Sequence, residues 1–283
     1  MPQRYNLRAA LVVTCAFAAF SGTDALVKLL AQTFPVPQVT FMITVGALLI
    51  VIASAVLSGR SKTLWPSHPG LAFVRAGLLA ADTILIYYAF AKLPLSEAYV
   101  LAFLAPVLVA ILAFIFLGER LSRIGWIGVL LGFAGVIVAL RPGVAPMNLG
   151  HAAAVGSALL FAFSLIILRR AKTTESDTAL VFSVLAVLSV LSFVVAFAGG
   201  GGFVPAGASD LATVAAAGLL LFGGHVLLVR AFRIGDASVV APFQYSQIVW
   251  GCVYGALLFG APIEIHTLAG AAIVIVSGWL VLK

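Results

Sequence analysis

The sequence predicts an all-α membrane protein: ten transmembrane helices arranged as two inverted five-helix repeats, with the N- and C-termini cytoplasmic. Three observations predict this. Of the 283 residues, 63% are hydrophobic and 9% charged, against about 45–50% and about 25% in soluble domains. The apolar residues fall into ten stretches, each near the ~20 residues needed to cross the hydrocarbon of a bilayer. And the chain aligns on itself, without a gap, at an offset of 142 residues.

The stretches in the first half are 8–30, 36–57, 70–91, 95–117 and 123–141. Those in the second half are 149–168, 178–198, 209–231, 236–259 and 264–282. Between them lie residues that end helices: Pro35-Val36-Pro37, Trp65-Pro66-Ser67-His68-Pro69, Leu93-Pro94 and Arg141-Pro142-Gly143. Later breaks are residues 172–177, 199–202, Gly235-Asp236 and Gly260-Ala261-Pro262. These links are short, so neighbouring helices must pack as hairpins, and no stretch is long enough for a separate soluble domain. Ala16-Phe17-Ala18 resembles a signal-peptidase site. The apolar run around it is too long for a signal segment, so it reads as a retained first span.

The net charge is +7. In a soluble protein that excess would suggest nucleic acid, but here it maps onto the links and gives orientation, so no nucleic-acid partner is expected. With the N-terminus inside, thirteen basic residues fall on the inner side: Arg4, Arg8, Arg60, Lys62, Arg75, Arg120, Arg123, Arg169, Arg170, Lys172, Arg230, Arg233 and Lys283. Only Lys28, Lys92 and Arg141 fall outside. The bias supports an even number of spans in a bacterial inner (plasma) membrane. Cys15 and Cys252 both lie inside apolar stretches and read as packing residues. No His/Cys/Asp cluster has metal spacing, so neither a metal nor another cofactor is expected.

At the 142-residue offset, Ala89-Phe90 falls on Ala231-Phe232, Ser96 on Ser238, Val107 on Val249, Gly118 on Gly260 and Gly128 on Gly270. This divides the chain into residues 1–142 and 143–283. Five spans is an odd number, so the second repeat must sit upside down relative to the first. Inverted repeats of this kind recur in transporters that alternate access around a site near the midplane.

Several motifs then resemble a known family. Leu95-Ser96-Glu97-Ala98, Pro106, Gly118-Glu119-Arg120, Trp126-Ile127-Gly128 and Gly132-x-x-Gly135 look like the first repeat of EamA-type proteins, of the drug/metabolite transporter superfamily. The second repeat departs from the pattern. Gly260 precedes Ala261-Pro262 where Glu is usual, and Ile248 stands at the position of Pro106. The resemblance implies a ten-helix carrier of metabolites, often an exporter of amino acids, and its aromatic amino-acid exporter branch is one such group. Nucleotide-sugar carriers, lipid-linked-sugar flippases and small multidrug exporters share the superfamily, and fold likeness does not choose among their substrates.

The candidate site residues are the polar ones at membrane depth, where charge is costly and usually faces a cavity or the bundle interior. Thr14, Phe17, Ser21, Asp24, Lys28 and Gln32 share one face of the first span. Asp24 precedes Lys28 by four residues, the favourable order for an ion pair. The pair reads either as an outer gate or as a structural pair. Asp82 is the deepest lone acid and reads either as a proton- or amine-binding group or as a hydrogen-bonded helix tie. The repeat places His225 opposite Thr83, at the depth of Asp82. Gln244 and Gln247 share a face of the ninth span, opposite Tyr99, Ala102 and Phe103 of the fourth. Amides that orient a solute beside rings that bury it suit an organic molecule. Phe161, between Ser157 and Ser164, adds a wall. Gly125, Gly128, Gly132 and Gly135 read as a packing seam, with Thr267, Gly270, Val274 and Ser277 in the tenth span. Glu119 is expected to hold the inner end of its own helix hairpin beside Arg120 and Arg123.

The expected function is therefore export of amino acids, aromatic ones among them, or of similar small metabolites, by a monomer or homodimer whose other partner is membrane lipid. A flippase for a lipid or lipid-linked sugar is the alternative. A membrane-embedded enzyme is disfavoured, because His68, His151, His225 and His266 are scattered on different elements.

Overall fold

A computed structural model describes residues 2–59, 61–93, 95–141, 148–171, 175–198, 203–260 and 265–282. Arg60, Pro94, Pro142, Gly143, Lys172, the 199–202 run, Ala261, Pro262 and Lys283 lie outside the described residues, as do the side chains of Arg4, Lys62, Ser96 and Glu97.

The first half comprises α1 (Pro2–Leu30), α2 (Val36–Leu57), α3 (Pro69–Lys92), α4 (Leu95–Ala102), α5 (Ala105–Leu117) and α6 (Arg123–Leu140). The second comprises α7 (Leu149–Arg170), α8 (Asp177–Ala198), α9 (Ala208–Ile234), α10 (Ala237–Val240), α11 (Gln247–Phe259) and α12 (Ile265–Val281). Among the described residues, eight stretches are long and apolar enough to cross a membrane, taking Tyr99–Leu117 as one; Ile265–Val281 is a shorter apolar helix. Large apolar side chains such as Leu49, Ile115, Leu219, Leu257 and Ile275 face outward. A surface of that kind is a liability in water and suits acyl chains.

The helix starts and stops follow local chemistry. Ser122 caps α6 by accepting from the Gly125 N–H at 2.9 Å, and Asn148 caps α7 by accepting from the Gly150 N–H at 2.7 Å. The α5 and α11 helices end at Gly118 (φ 68°) and Gly260 (φ 59°). Both are left-handed C-caps that cost an L side chain energy, and they are equivalent at the 142-residue offset.

Two expected continuous spans are broken. The stretch 95–117 stops at Ala102 and restarts at Ala105. Pro106 explains the break: it lacks an N–H, and its ring clashes with the carbonyl four residues earlier, that of Ala102. The stretch 236–259 runs as α10, a 3-10 segment (Ala241–Ser246) and then α11. Its Pro242 sits in the first turn of the tighter segment. Although Ile248 replaces the proline of the first half, the second helix restarts at Gln247, the equivalent of Ala105.

Packing is reciprocal at the same offset. The α1 helix lies along α9, and α7 lies along α3. The α5 helix packs on α7 as α11 packs on α1, and α2 packs on α9 as α8 packs on α3. The pairs α2–α8 and α6–α12 join equivalent helices. Each contact is thus repeated with the halves exchanged, as in a two-repeat fold. The largest apolar core lies where α1, α5, α7, α8 and α9 meet, around Val13, Val109, Leu165, Leu168, Leu180 and Phe232.

The glycine seam joins α6 to α12. A Cβ at Gly128 would lie 2.9 Å from the Ser277 carbonyl oxygen, and one at Gly270 would lie 2.5 Å from that of Gly135. Only glycine permits backbones to approach so closely.

Candidate functional site

A cavity of about 360 Å³ lies between the halves, bounded by α1, α3, α7 and α9 and by the two broken stretches. It is large enough for a small organic molecule. Ala102, at the end of α4, and Gln244, in the 3-10 segment, both line it and are equivalent at the 142-residue offset. Broken helices at membrane depth are tolerated where they face protein or a wet cavity, and in transporters they commonly form the binding site.

The polar lining consists of Asp24, Arg75, Asp82, Thr83, Ser157, Ser164, His225, Gln244 and Gln247, and the aromatic lining of Phe17, Phe20 and Phe161. Asp82 on α3 accepts a hydrogen bond from the Ser157 hydroxyl on α7. One oxygen is thereby held against the wall while the carboxylate still borders the cavity. His225 Nδ1 donates to the Leu221 carbonyl one turn back, at 2.9 Å. That bond places the proton on Nδ1 and leaves Nε2 to accept or to bind a second proton. The edge of Phe20 meets the His225 ring at 5.1 Å between centroids.

Arg75 is a cavity group that the sequence reading left out of the candidate site. Counted by segment, it belongs with the inner-side basic residues. In the fold it is only 1% exposed and forms part of the cavity wall. Its seven-residue spacing from Asp82 puts both on one face of α3, roughly 10 Å apart along the axis. That spacing was the available signal.

Asp24, Asp82, Phe161, His225, Gln244 and Gln247 come together at the cavity. Lys28, Tyr99 and Phe103 do not. Asp24 and Lys28 form no ion pair; Lys28 Nζ lies 4.7 Å from the Phe259 ring centroid. At the exposed end of α1 a cation gains more from an aromatic face with its head in solvent than from a carboxylate turned inward. Phe103 is buried against Tyr245, with centroids 6.3 Å apart, inside a cluster with Val100, Val136 and Val274. Tyr99 stacks on Phe103 and does not line the cavity. The break at residues 103–104 rotates these rings off the face that a continuous helix would have given them.

Below the cavity, at the end of the bundle holding the start of α1, a polar lattice ties the helices together. Glu119 accepts from Arg169 Nε at 3.0 Å and from the Ser238 N–H at 3.1 Å. Arg169 also holds Asp236 at 2.7 Å, and Asp236 accepts from Asn6. Glu175 pairs with His68 at 3.1 Å and accepts from the Ser67 N–H at 2.8 Å; Arg233 donates to the Glu175 carbonyl and pairs with Asp177 at 2.7 Å. Glu119 therefore crosses to α7 and to the start of α10, in the other half. The expected hairpin contacts with Arg120 and Arg123 are not its partners, because the buried guanidinium of Arg169 offers a fork that solvated side chains do not.

An apolar helical bundle around a mid-depth polar cavity, with broken helices in its wall, defines a multi-pass membrane transporter. The chain belongs to the EamA-like transporter family, which it matches over residues 7–141 and 148–283. It is 28% identical to the pseudopaline exporter CntI of Pseudomonas aeruginosa over 272 residues, covering 94% of this chain and 93% of that protein. It is 27% identical to an S-adenosylmethionine uptake transporter of Rickettsia bellii, over 90% of this chain and 86% of the relative. A riboflavin transporter of Vibrio cholerae is 23% identical over 97% and 93%. One crystal structure superposes with a TM-score of 0.84 at 20% identity, covering 96% of both chains, and shares the fold. These relatives and the family make the chain a transporter of small metabolites, and not an enzyme.

Proposed function

We propose that this protein exports amino acids or similar small organic metabolites across a bacterial inner membrane by alternating access. The cavity carries the reading: acids, an arginine, an imidazole and two amides converge there with three phenylalanine rings. That mixture suits a compact polar solute with an apolar side group, aromatic amino acids included. A bare ion would not need the rings, and a lipid would need an open lateral track. The pseudopaline exporter, similar over nearly its whole length, supports a metabolite carrier working outward.

In this reading the ten spans form two inverted repeats, residues 1–142 and 143–283, with both termini cytoplasmic, and the chain works as a monomer or homodimer. The lattice around Arg169 then closes the cytoplasmic end. Solute binds between Asp24, Asp82, Phe161, His225, Gln244 and Gln247, and exchange of the two halves' conformations turns the cavity to the other side.

The test is counterflow in proteoliposomes with a panel of radiolabelled amino acids and amines. Saturable uptake, accelerated by the same solute preloaded inside, is expected for at least one. Flux that stays linear in concentration for every solute, without counterflow, overturns the carrier reading.

A further inference from the structure

Arg75 stands apart from the other buried arginine, Arg169. Arg169 satisfies its fork with two carboxylates, Glu119 and Asp236, and with the Phe232 carbonyl. Arg75 is more deeply buried, at 1% exposure. It makes one long bond, from Nη1 to the Leu180 carbonyl at 3.3 Å. Its Nε and Nη2 meet no acceptor. Leaving charged donors buried and unmatched is among the costlier arrangements in a protein. Asp82, on the same helix face, is engaged by Ser157 and forms no ion pair with Arg75. Asp24, on the facing wall, forms none either. Arg75 is also part of the cavity wall, so a solute in the cavity meets the residue that carries these unmatched donors.

We propose that Arg75 is the anchor for the carboxylate of the transported solute, with the solute's ammonium directed to Asp82 and Asp24. This rests on the carrier reading above and narrows it to zwitterions of the α-amino-acid type. A planar guanidinium matches a carboxylate through two parallel N–H···O bonds. A phosphate could use the same fork. Two acids share the cavity with one arginine, however, and they oppose a dianion while favouring a solute that carries a positive group as well. Purely cationic amines would leave the guanidinium unmatched and place like charges together. The amides and phenylalanine rings remain for the side group.

The deciding measurement is thermal stabilisation of the purified full-length protein in detergent by L-phenylalanine, L-methionine and L-histidine. Each is compared with its carboxamide, which keeps the ammonium and lacks the carboxylate, and inorganic phosphate forms a separate arm. At least one amino acid should bind about ten-fold or more tightly than its carboxamide, because bonds to charged groups are the strong ones. Arg75→Gln should abolish that preference, while Arg75→Lys, a charge without the fork, should restore it only in part. The wild-type comparison needs no variant and so does not depend on Arg75→Gln folding. Acid and carboxamide binding alike, no amino acid binding at all, an Arg75→Gln protein that keeps the preference, or Arg75-dependent binding of phosphate alone would each overturn the assignment. The two proposals fail separately. Saturable counterflow of amines that ignores Arg75→Gln leaves the carrier and removes the anchor. Arg75-dependent carboxylate binding without flux does the reverse.

Discussion

Phe103 and Tyr245 are equivalent residues of the two halves, 142 positions apart, and their rings meet with centroids 6.3 Å apart. The contact lies where the two broken stretches face each other, so it joins equivalent positions of the two halves. Both residues are buried, Tyr245 completely. Tyr245 also closes on Gly132 of α6, where a Cβ would lie 2.5 Å from its ring. The breaks, the seam between α6 and α12 and the cavity wall are therefore one connected structure, and a change in the seam should be felt at the site.

Gly270→Ala should lower the thermal unfolding temperature markedly. Its Cβ meets the backbone oxygen of Gly135 at 2.5 Å, and backbone cannot step aside as a flexible side chain can. Overpacking of this kind costs about 1–3 kcal/mol. Gly46→Ala in α2 meets nothing within 4 Å and should be neutral or stabilising by up to about 1 kcal/mol. Scanning fluorimetry of both variants checks the contrast; equal behaviour would remove the seam as a close-contact interface.

Loss of the lattice should loosen the end it closes. With Cys15 and Cys252 replaced by serine and Ser164→Cys placed in the cavity wall, an impermeant thiol reagent applied from the side of the α1 N-terminus should react slowly. Adding Arg169→Ala, which strands Glu119 and Asp236 together, should speed that reaction about ten-fold, within the coupling of about 0.5–3 kcal/mol seen for residues in one network. An unchanged labelling rate would mean that the lattice stabilises the fold without gating access.

Asp82→Asn keeps the shape of the side chain and a partner for Ser157 while removing the charge. For a solute bearing an ammonium group, KM for counterflow should rise about ten-fold or more, given the roughly 1.5–3 kcal/mol carried by bonds to charged groups. Neutral solutes of the same size should be less affected. The same KM for both proteins, across the pH range in which the carrier is active, would leave Asp82 as a tie between α3 and α7.

Much was legible in the sequence because a bilayer imposes simple rules. Apolar runs of sufficient length marked the helices, and the match of Gly118 to Gly260 and Gly128 to Gly270 marked the repeat. Asp24, Asp82, His225, Gln244 and Gln247 could be named as cavity residues because polar groups at membrane depth have few other places to go, and Phe161 because Ser157 and Ser164 flank it. Arg75 escaped because segment counting assigns charge to the nearer end of a helix, whereas depth and face decide what a side chain meets. Tyr99 and Phe103 were assigned to the cavity on the assumption of a continuous helix, which the break at residues 103–104 cancels. The partner of Glu119 lay in the other half, and spacing within one hairpin says nothing about that distance.

The sequence by itself determined what is local and periodic: helices sized to lipid, their stops at proline and glycine, and two halves of one design. Only the tertiary structure decided which polar groups share a cavity and which satisfy each other. Such pairing depends on how far each helix turns and where it breaks. A rotation of a fraction of a turn separates Arg169, held by two carboxylates, from Arg75, left with unmatched donors in the wall of the cavity.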